Sequence, residues 1–379
     1  MYKELIEFVR EIYLSDSFLP LHEPRFVGNE KKYVNEAIDS TFVSSVGAFV
    51  DRFEESFASY HGVEKAVACM NGTAALHTAL VLANVRKENE VITQPLTFVA
   101  TCNAISYQGA HPIFIDVDRD TLGLSPQALE EFLVENAEIT AEGCLNKTSG
   151  RIIKAVVPMH TFGHACRIDE IATICQNWHI TLIEDAAEAL GSQYKGQALG
   201  TFGDISAYSF NGNKIITTGG GGMIIARNSD VIKKAKHLTT TAKIPHLYEF
   251  THDEVGFNYR MPNLNAALGC AQLEQLDSYL ASKRKVAKLY KDFFSGRPET
   301  FVDEPEEGRS NFWLNAILLA DDVERDHFLK EINKQNIMVR PIWTLMNKLP
   351  MFESSHTGPL VNAVWLEKKI VNLPSSVRL

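Results

Sequence analysis

Residues 151–192 read RIIKAVVPMHTFGHACRIDEIATICQNWHITLIEDAAEALGS and contain a repeating structural unit. Apolar runs at residues 152–159 and 180–183 are rich in β-branched side chains on consecutive positions, which is typical of strands buried on both faces. Residues 167–179, between these runs, have a helix-like pattern. The order of strand, helix and strand predicts an α/β layer structure.

The same alternation extends over the first two-thirds of the chain. Five further apolar runs are at residues 66–70, 90–92, 112–117, 205–210 and 223–226, and helix-like stretches are at 73–85 and 125–135. The proline after Ser125 suits the first position of a helix. We therefore predict an α/β fold with a mostly parallel seven-stranded sheet and helices on both sides.

The pattern changes after about residue 260. Residues 263–294 form a long, charged, amphipathic helical region, and a mixture of shorter elements follows it. Strands are predicted at 312–319 and 338–342, and a helix is predicted at 323–335. We therefore predict a large domain over residues 1–255, including an N-terminal helix, and a smaller C-terminal α+β domain over residues 256–379.

Composition narrows the class of protein. The 379 residues include 37 Lys and Arg against 47 Asp and Glu, a net charge of −10, which argues against a nucleic-acid or anionic-membrane binder. The six scattered cysteines form no CxxC pair, as expected for reduced thiols. Glu4, Glu7 and Glu11 interrupt the apolar pattern of the first helix, so it does not resemble a secretion signal. The sequence predicts a cytoplasmic protein without nucleic-acid or membrane partners.

A first candidate site is the turn Asn71-Gly72-Thr73-Ala74-Ala75-Leu76 between a strand and a helix. Such a turn of small residues presents backbone N–H groups and the positive end of a helix dipole to an anion, typically a phosphate. The alternative is a tight turn in which Thr73 only caps the helix.

A second candidate is Glu184-Asp185-Ala186-Ala187-Glu188, which directly follows a predicted strand. Carboxylates at a strand end can bind a metal, move protons or contact a cationic ring nitrogen, and the alanines leave room for a flat ligand. Alternatively, these acids satisfy backbone donors at the start of a helix.

A third candidate is Ser209-Phe210-Asn211-Gly212-Asn213-Lys214, followed by four glycines at 219–222. A lysine on a turn between buried strands is a candidate for covalent chemistry with an aldehyde, because a desolvated amine is more readily deprotonated. A Walker-type phosphate loop is disfavoured, since Asn213 precedes Lys214 and isoleucine follows it. A plain surface lysine is the remaining alternative.

A fourth candidate is Thr97-Phe98-Val99-Ala100-Thr101, after the strand predicted to end near residue 92. Phe98 lies at the head of a predicted helix, where an aromatic ring can cover a flat ligand or simply fill the core. We predict no metal site. His160 and His164 have ligand-like spacing, but Gly163 separates them and no third ligand is evident.

The four candidates together match the contacts that pyridoxal 5′-phosphate (PLP) requires. A turn can bind its phosphate, an aromatic ring can cover its pyridine ring, an acid can keep the ring nitrogen protonated, and a lysine can hold its aldehyde. The set predicts a PLP site.

The ordered motifs resemble those of a known family, the fold-type I PLP-dependent sugar aminotransferases of the DegT/DnrJ/StrS group. The resemblance runs from about residue 18 to the C-terminus through NGTAALHTAL, PLTFVATCNAI, PIFIDVD, PMHTFGH, IEDAAEALGS, GTFGDISAYSFNGNK, TTGGGG and GFNYRMPNLNAALG. Within this family, EDAAEALGS together with NGNKIITTGGGG resembles the aminotransferases of the legionaminic-acid (LegC) and bacillosamine pathways. The segments HEPRF, STFVSSVG and RPIWTLMNKLPMF are similar to the LegC-like branch.

The resemblance implies roles for individual residues. Lys214 matches the lysine that holds the cofactor covalently, and Asp185 matches the acid that pairs with the pyridine nitrogen. Glu188 stands where many members carry Gln or His near the ring hydroxyl. Phe98 matches the stacking aromatic residue. The phosphate cup is matched by four residues: Gly72, Thr73, Ala74 and Ser209.

Other implied contacts involve the partner subunit and the substrates. Asn258 matches an asparagine that reaches the cofactor phosphate of the neighbouring subunit, which implies a homodimer with shared active sites. Arg260 is a candidate for the donor's carboxylate, and Arg340 and Trp343 are candidates for the sugar nucleotide. Alternatively, Trp343 packs the small domain and Arg340 pairs with an acid. Gly220 replaces a glutamate common in the family.

The implied reaction transfers an amino group from L-glutamate to a nucleotide-linked 4-keto-6-deoxy sugar. The subgroup favours UDP-2-acetamido-4-keto-2,6-dideoxyglucose, in the synthesis of a bacterial surface glycan or of legionaminic acid. The alternatives are a GDP-linked 4-keto sugar and a catalytically silent relative that binds or regulates. The lysine at position 214 argues against dehydratase activity, because the dehydratases of the family have a histidine at the matching position.

Overall fold

The computed structural model describes residues 2–378, and these residues form three sheets, of nine, four and three strands. The helices are α1 Tyr2–Tyr13, α2 Glu30–Asp39, α3 Ala48–His61, α4 Gly72–Leu82, α5 Val99–Tyr107, α6 Pro126–Asn136, α7 Ile168–Asn177, α8 Ser229–Thr239, α9 Asn263–Leu273, α10 Leu276–Phe294, α11 Asp322–Asn333 and α12 Val361–Glu367. The strands are β1 Ala66–Cys69, β2 Glu90–Thr93, β3 His111–Phe114, β4 Ala137–Thr140, β5 Gly143–Asn146, β6 Ile152–Val157, β7 Thr181–Asp185, β8 Gln193–Tyr194, β9 Gln197–Ala198, β10 Ile205–Ser209, β11 Gly222–Ala226, β12 Thr300–Phe301, β13 Gly308–Arg309, β14 Asn315–Leu318, β15 Arg340–Pro341 and β16 Ile370–Leu373.

The main sheet confirms the predicted α/β fold. Its seven principal strands run in the order β1-β11-β10-β7-β6-β2-β3, and each corresponds to one predicted run. The neighbours of β11 are antiparallel to it, whereas β10-β7-β6-β2-β3 are mutually parallel. The hairpin β4–β5, which pairs with β6, was not predicted from the sequence.

Consecutive apolar residues in the strands serve two separate cores. Leu182 belongs to a core cluster that includes residues of α3, α6, α7 and α9, and the adjacent Ile183 belongs to a second cluster that includes residues of α4, α5 and α8. Because side chains alternate along a strand, a sheet covered by helices on both faces requires such continuous apolar runs.

The C-terminal sheet has the order β12-β14-β16-β15. The long helical region predicted at 263–294 is two helices, α9 and α10, separated at residues 274–275. The predicted strands at 312–319 and 338–342 are shorter, as β14 and β15, and the predicted helix at 323–335 is α11. No helix within residues 2–378 has the length and apolar character needed to cross a membrane.

Side-chain packing departs from the predicted division at residue 255 in two places. Helix α1 packs through Leu5 and Val9 against the C-terminal sheet, although the sequence reading placed it in the large domain. Helix α9 packs through Ala266 and Cys270 into the core of the main sheet. The domain limits stay a prediction, and this packing favours a boundary within α10.

Candidate active site

The candidate residues of the large sheet converge at one edge. Asp185 ends β7, Ser209 ends β10, and Gly72 begins α4 after β1. Strands β1, β7 and β10 run in the same direction, so their carboxyl ends meet at this edge. Ligands of open α/β sheets bind at such an edge.

The adjacent acids Glu184 and Asp185 have different surroundings. Glu184 is fully buried and accepts N–H bonds from residues 200, 202 and 203 at 2.6–2.8 Å. It also bonds His160 Nε2 at 2.9 Å. Glu184 therefore satisfies backbone donors, which was the alternative to a ligand-binding role. The donors lie in a loop, however, and not at the start of a helix.

Asp185 instead lines a cavity. Its side chain is 2% exposed, and Thr101 Oγ1 donates a hydrogen bond to Asp185 Oδ2 at 2.7 Å. The Ala187 N–H donates to Oδ1 at 3.2 Å. Burial raises the pKa of Asp185, while these two hydrogen bonds and the charge of Lys214 oppose the rise. A cationic ligand at this carboxylate would favour its ionised form.

Lys214 lies in the same cavity, on the turn after β10. Its Nζ is 3.2 Å from Glu188 Oε1 and 3.9 Å from the centroid of the Trp313 ring. Burial raises the pKa of Glu188 to about 7, and the nearby Lys214 charge acts against this rise. The structure therefore makes Lys214 a cavity lysine rather than a surface lysine, with 13% of its side chain exposed.

The turn before α4 can bind an anion. Asn71 caps the helix, because its Oδ1 accepts the Ala74 N–H at 2.7 Å. The N–H groups of Gly72 and Thr73 have no acceptor within the helix. A Cβ at Gly72 would lie 2.8 Å from Ser209 Cβ, so glycine allows the helix start and the end of β10 to approach closely.

These groups surround a cavity of about 410 Å³. The predicted residues that line it are Gly72, Thr73, Phe98, Asp185, Glu188, Ser209, Lys214 and Trp343. Phe98 is half exposed at the rim, with its ring centroid 6.3 Å from that of Trp343. Trp343 also contacts Phe162, so it both packs and lines the cavity.

Four predicted residues do not line this cavity. The N–H of Ala74 is bonded to Asn71, so this group is already satisfied. Asn258 is exposed, and the buried Arg260 Nε has no hydrogen-bond partner among the described residues. Arg340 bonds the Val339 carbonyl at 3.3 Å, away from the cavity, and pairs with no acid within residues 2–378.

Two residues that contact the candidate catalytic side chains were given no role from the sequence alone. Thr101 holds Asp185, and its place in the quoted PLTFVATCNAI motif was a signal that could have identified it. Trp313 comes from the segment before β14, and its Nε1 donates to the Asn213 carbonyl at 2.7 Å. No local sequence pattern predicts this contact, because the two residues are far apart in the chain.

The residues present fit PLP. The helix start offers donors for a phosphate, Asp185 offers a buried carboxylate for a cationic ring nitrogen, and Lys214 offers an amine for an aldehyde. When bound, PLP supplies an electron-withdrawing ring that stabilises negative charge on the substrate carbon.

The comparisons with known proteins agree with this geometry. The model of the DegT/DnrJ/EryC1/StrS aminotransferase family matches residues 24–379. GDP-perosamine synthases of Escherichia coli O157:H7 and Caulobacter vibrioides are each 37% identical to the chain, over 358 and 361 residues. The matches cover 94% of this chain in both cases, and 93% and 92% of the respective relatives.

The solved structures include the aminotransferase TlmJ from Streptoalloteichus hindustanus, with a TM-score of 0.86 and 26% identity. That match covers 95% of this chain and 94% of TlmJ. These findings confirm the family resemblance and the PLP cofactor. The chain therefore belongs to the DegT/DnrJ/EryC1/StrS aminotransferase family and is a PLP-dependent sugar aminotransferase.

Proposed function

We propose that the enzyme transfers the amino group of L-glutamate to carbon 4 of a nucleotide-linked 4-keto-6-deoxy sugar. The observation that carries this proposal is the common cavity of Lys214, Asp185 and the start of α4. The presence of all three groups argues against the alternative that this protein is a catalytically silent member of the family. The product would enter a bacterial surface glycan or a nonulosonic acid such as legionaminic acid.

We assign the chemistry to two residues. Lys214 would hold the cofactor covalently and, once released, would move a proton between the substrate carbon and the cofactor. Asp185 would keep the pyridine nitrogen protonated, because an opposite charge nearby favours the charged form. The hydrogen bond from Thr101 orients the carboxylate for this contact.

The remaining cavity residues would position the cofactor. The N–H groups of Gly72 and Thr73 and the hydroxyl of Ser209 would bind its phosphate, and Phe98 would cover its ring. Glu188 would lie near the ring hydroxyl. We do not include the Ala74 N–H, because Asn71 already accepts it.

We further propose a cytoplasmic homodimer in which each site takes residues from both subunits. Asn258 and Arg260 lie outside the cavity of their own chain, and the buried Arg260 Nε has no hydrogen-bond partner among the described residues. All six cysteines are free and buried, which suits a reducing compartment.

Mixed dimers test the shared site. When inactive Lys214→Ala and weakened Asn258→Ala chains are unfolded and refolded together, the mixture should recover about one quarter of wild-type activity. Half of the randomly formed dimers are hybrids, and each hybrid has one site that carries neither substitution. The measurement is the glutamate-dependent rate of the mixture.

A mixture no more active than its Asn258→Ala component would contradict sharing, since both substitutions would then act within one chain. A monomer in sedimentation experiments would contradict the dimer itself. Refolded wild-type protein provides the control for losses during refolding.

Two nucleotides remain as candidates for the sugar substrate. The subgroup motifs in residues 185–192, 211–222 and 340–352 support a UDP-linked 2-acetamido sugar. The similarity to two GDP-perosamine synthases supports a GDP-linked sugar. Trp343 lines the cavity and could cover the nucleotide sugar, whereas the position of Arg340 gives it no contact there within one chain.

A substrate panel decides between them. With glutamate as donor, we expect kcat/KM for the UDP-linked 2-acetamido-4-keto-2,6-dideoxy sugar to exceed that for the matched GDP-linked 4-keto sugar by at least about tenfold, a discrimination of about 1.4 kcal/mol. Mass spectrometry of the aminated product identifies the substrate. A preference for GDP would select the second candidate, and turnover of neither sugar would contradict the 4-keto assignment.

A further inference from the structure

The free amine of Lys214 is held between two groups from different parts of the chain. Glu188 follows β7, whereas Trp313 precedes β14 of the C-terminal sheet. The amine is 3.2 Å from the Glu188 carboxylate and 3.9 Å from the centre of the indole ring. An ammonium group removed from water needs such compensation, from an opposite charge and from an aromatic face.

Glu188 is fixed for this contact. Its side chain is buried, and Glu188 Oε2 accepts the Phe162 N–H at 2.8 Å. The other oxygen, Oε1, is the atom that contacts Lys214. The backbone bond therefore orients the carboxylate toward the amine.

Trp313 is fixed from three directions. The backbone N–H of Trp313 donates to Asn311 Oδ1 at 2.7 Å, and the indole N–H donates to the Asn213 carbonyl at 2.7 Å. The Trp313 carbonyl accepts a bond from Lys283 Nζ at 3.1 Å. Lys283 is fully buried, and burial lowers its pKa to about 7. The bond from the indole N–H places the ring beside the turn that carries Lys214.

In the glutamate half of the proposed reaction, Lys214 would be released from the cofactor's aldehyde carbon, and the glutamate nitrogen would replace it there. One water would be consumed and 2-oxoglutarate would leave, so that glutamate would be the reductant of this exchange. Lys214 would therefore be a free amine in one half of the cycle and covalently bound in the other.

We propose that Glu188 and Trp313 form a resting site for the released amine of Lys214, and that this site favours the aminated form of the cofactor. The proposal rests on the assignment of Lys214 as the cofactor's lysine. Glu188 supplies the charge and Trp313 excludes water, so both are positioning residues for the lysine. Their loss raises the free energy of the state in which Lys214 is free.

The proposed site can be tested by measuring how readily the released amine of Lys214 reacts with acetic anhydride. We convert the full-length enzyme to its aminated form with glutamate, remove 2-oxoglutarate and apply a pulse of acetic anhydride. Peptide mass spectrometry gives the acetylation of Lys214 relative to the exposed Lys3. Glu188→Gln should raise this ratio about tenfold or more, because a charge in contact with the amine is lost.

Substitutions of Trp313 test the contribution of the indole ring to the resting site. Trp313→Leu should also raise the acetylation of Lys214, and Trp313→Phe should raise it less, because an aromatic face is retained. The matched controls are Glu307→Gln, which alters the exposed pair with Lys195, and Trp365→Leu. These controls should leave Lys214 acetylation unchanged. Unchanged acetylation in either Glu188→Gln or Trp313→Leu overturns the two-residue site.

An equilibrium measurement separates this site from a merely structural effect. Absorbance spectra at fixed ratios of glutamate to 2-oxoglutarate give the equilibrium constant for the aminated form, which should fall about tenfold in Glu188→Gln. An unchanged constant overturns the proposal. Borohydride reduction of the resting enzyme checks the underlying function independently, because a label on a lysine other than Lys214 would refute that assignment instead.

Discussion

Transamination is expected to be lost when Lys214 is replaced by alanine, with a rate reduction of at least about 10⁴-fold. The variant lacks both the covalent attachment and the group proposed to move the proton, and no other lysine lines the cavity among the described residues. The fold should persist, because the turn is also held by the backbone bond from Lys214 N–H to Asn211 O. A single-turnover absorbance change with glutamate measures the loss.

The matched control is Lys195→Ala, which removes an exposed lysine paired with Asp169 and Glu307. Its rate should equal that of the wild type. Borohydride reduction of wild-type enzyme followed by peptide mapping should place the pyridoxyl group on Lys214. Substantial transamination by Lys214→Ala, or a label at another lysine, would contradict the assignment.

Asp185→Asn should lower the rate by about 10³-fold, equivalent to about 4 kcal/mol of transition-state stabilisation. Asparagine has nearly the same shape and can still accept the Thr101 hydroxyl. It lacks the charge that holds the ring nitrogen protonated, so the cofactor would withdraw electrons less strongly. Most cofactor binding should survive, since the phosphate contacts and Lys214 are unchanged. Rapid-mixing spectroscopy with glutamate gives the rate, and equilibrium dialysis gives the bound cofactor.

Asp116→Asn controls for the loss of a buried carboxylate. Asp116 accepts N–H bonds from Asn362 and Ala363 at the start of α12, so its replacement should lower the melting temperature while leaving the chemical step intact. Nearly full activity of Asp185→Asn would refute its proposed role. An equal rate loss in Asp116→Asn would mean that burial, rather than position, accounts for the effect.

The sequence by itself determined the seven principal strands of the main sheet and grouped several of the residues that line the cavity. Runs such as residues 223–226 are apolar at consecutive positions, which is typical of strands covered on both faces. Motifs at strand ends then predict a common site, because parallel strands bring their carboxyl ends to one edge of the sheet. For this reason the sequence alone groups Asp185, Ser209 and Lys214 in one site.

Only the tertiary structure decided which of two adjacent acids faces the cavity. Glu184 and Asp185 have the same charge and follow the same strand, but the pleat directs Glu184 toward residues 200–203 and Asp185 toward Thr101. Tertiary packing likewise brings Trp313 to Lys214 and leaves Arg340 outside the cavity. A local sequence pattern shows whether a segment repeats its apolar residues with the period of a helix or of a strand. Contacts between distant segments depend instead on how the main sheet and the C-terminal sheet pack. That packing is determined by the combined burial of many apolar side chains.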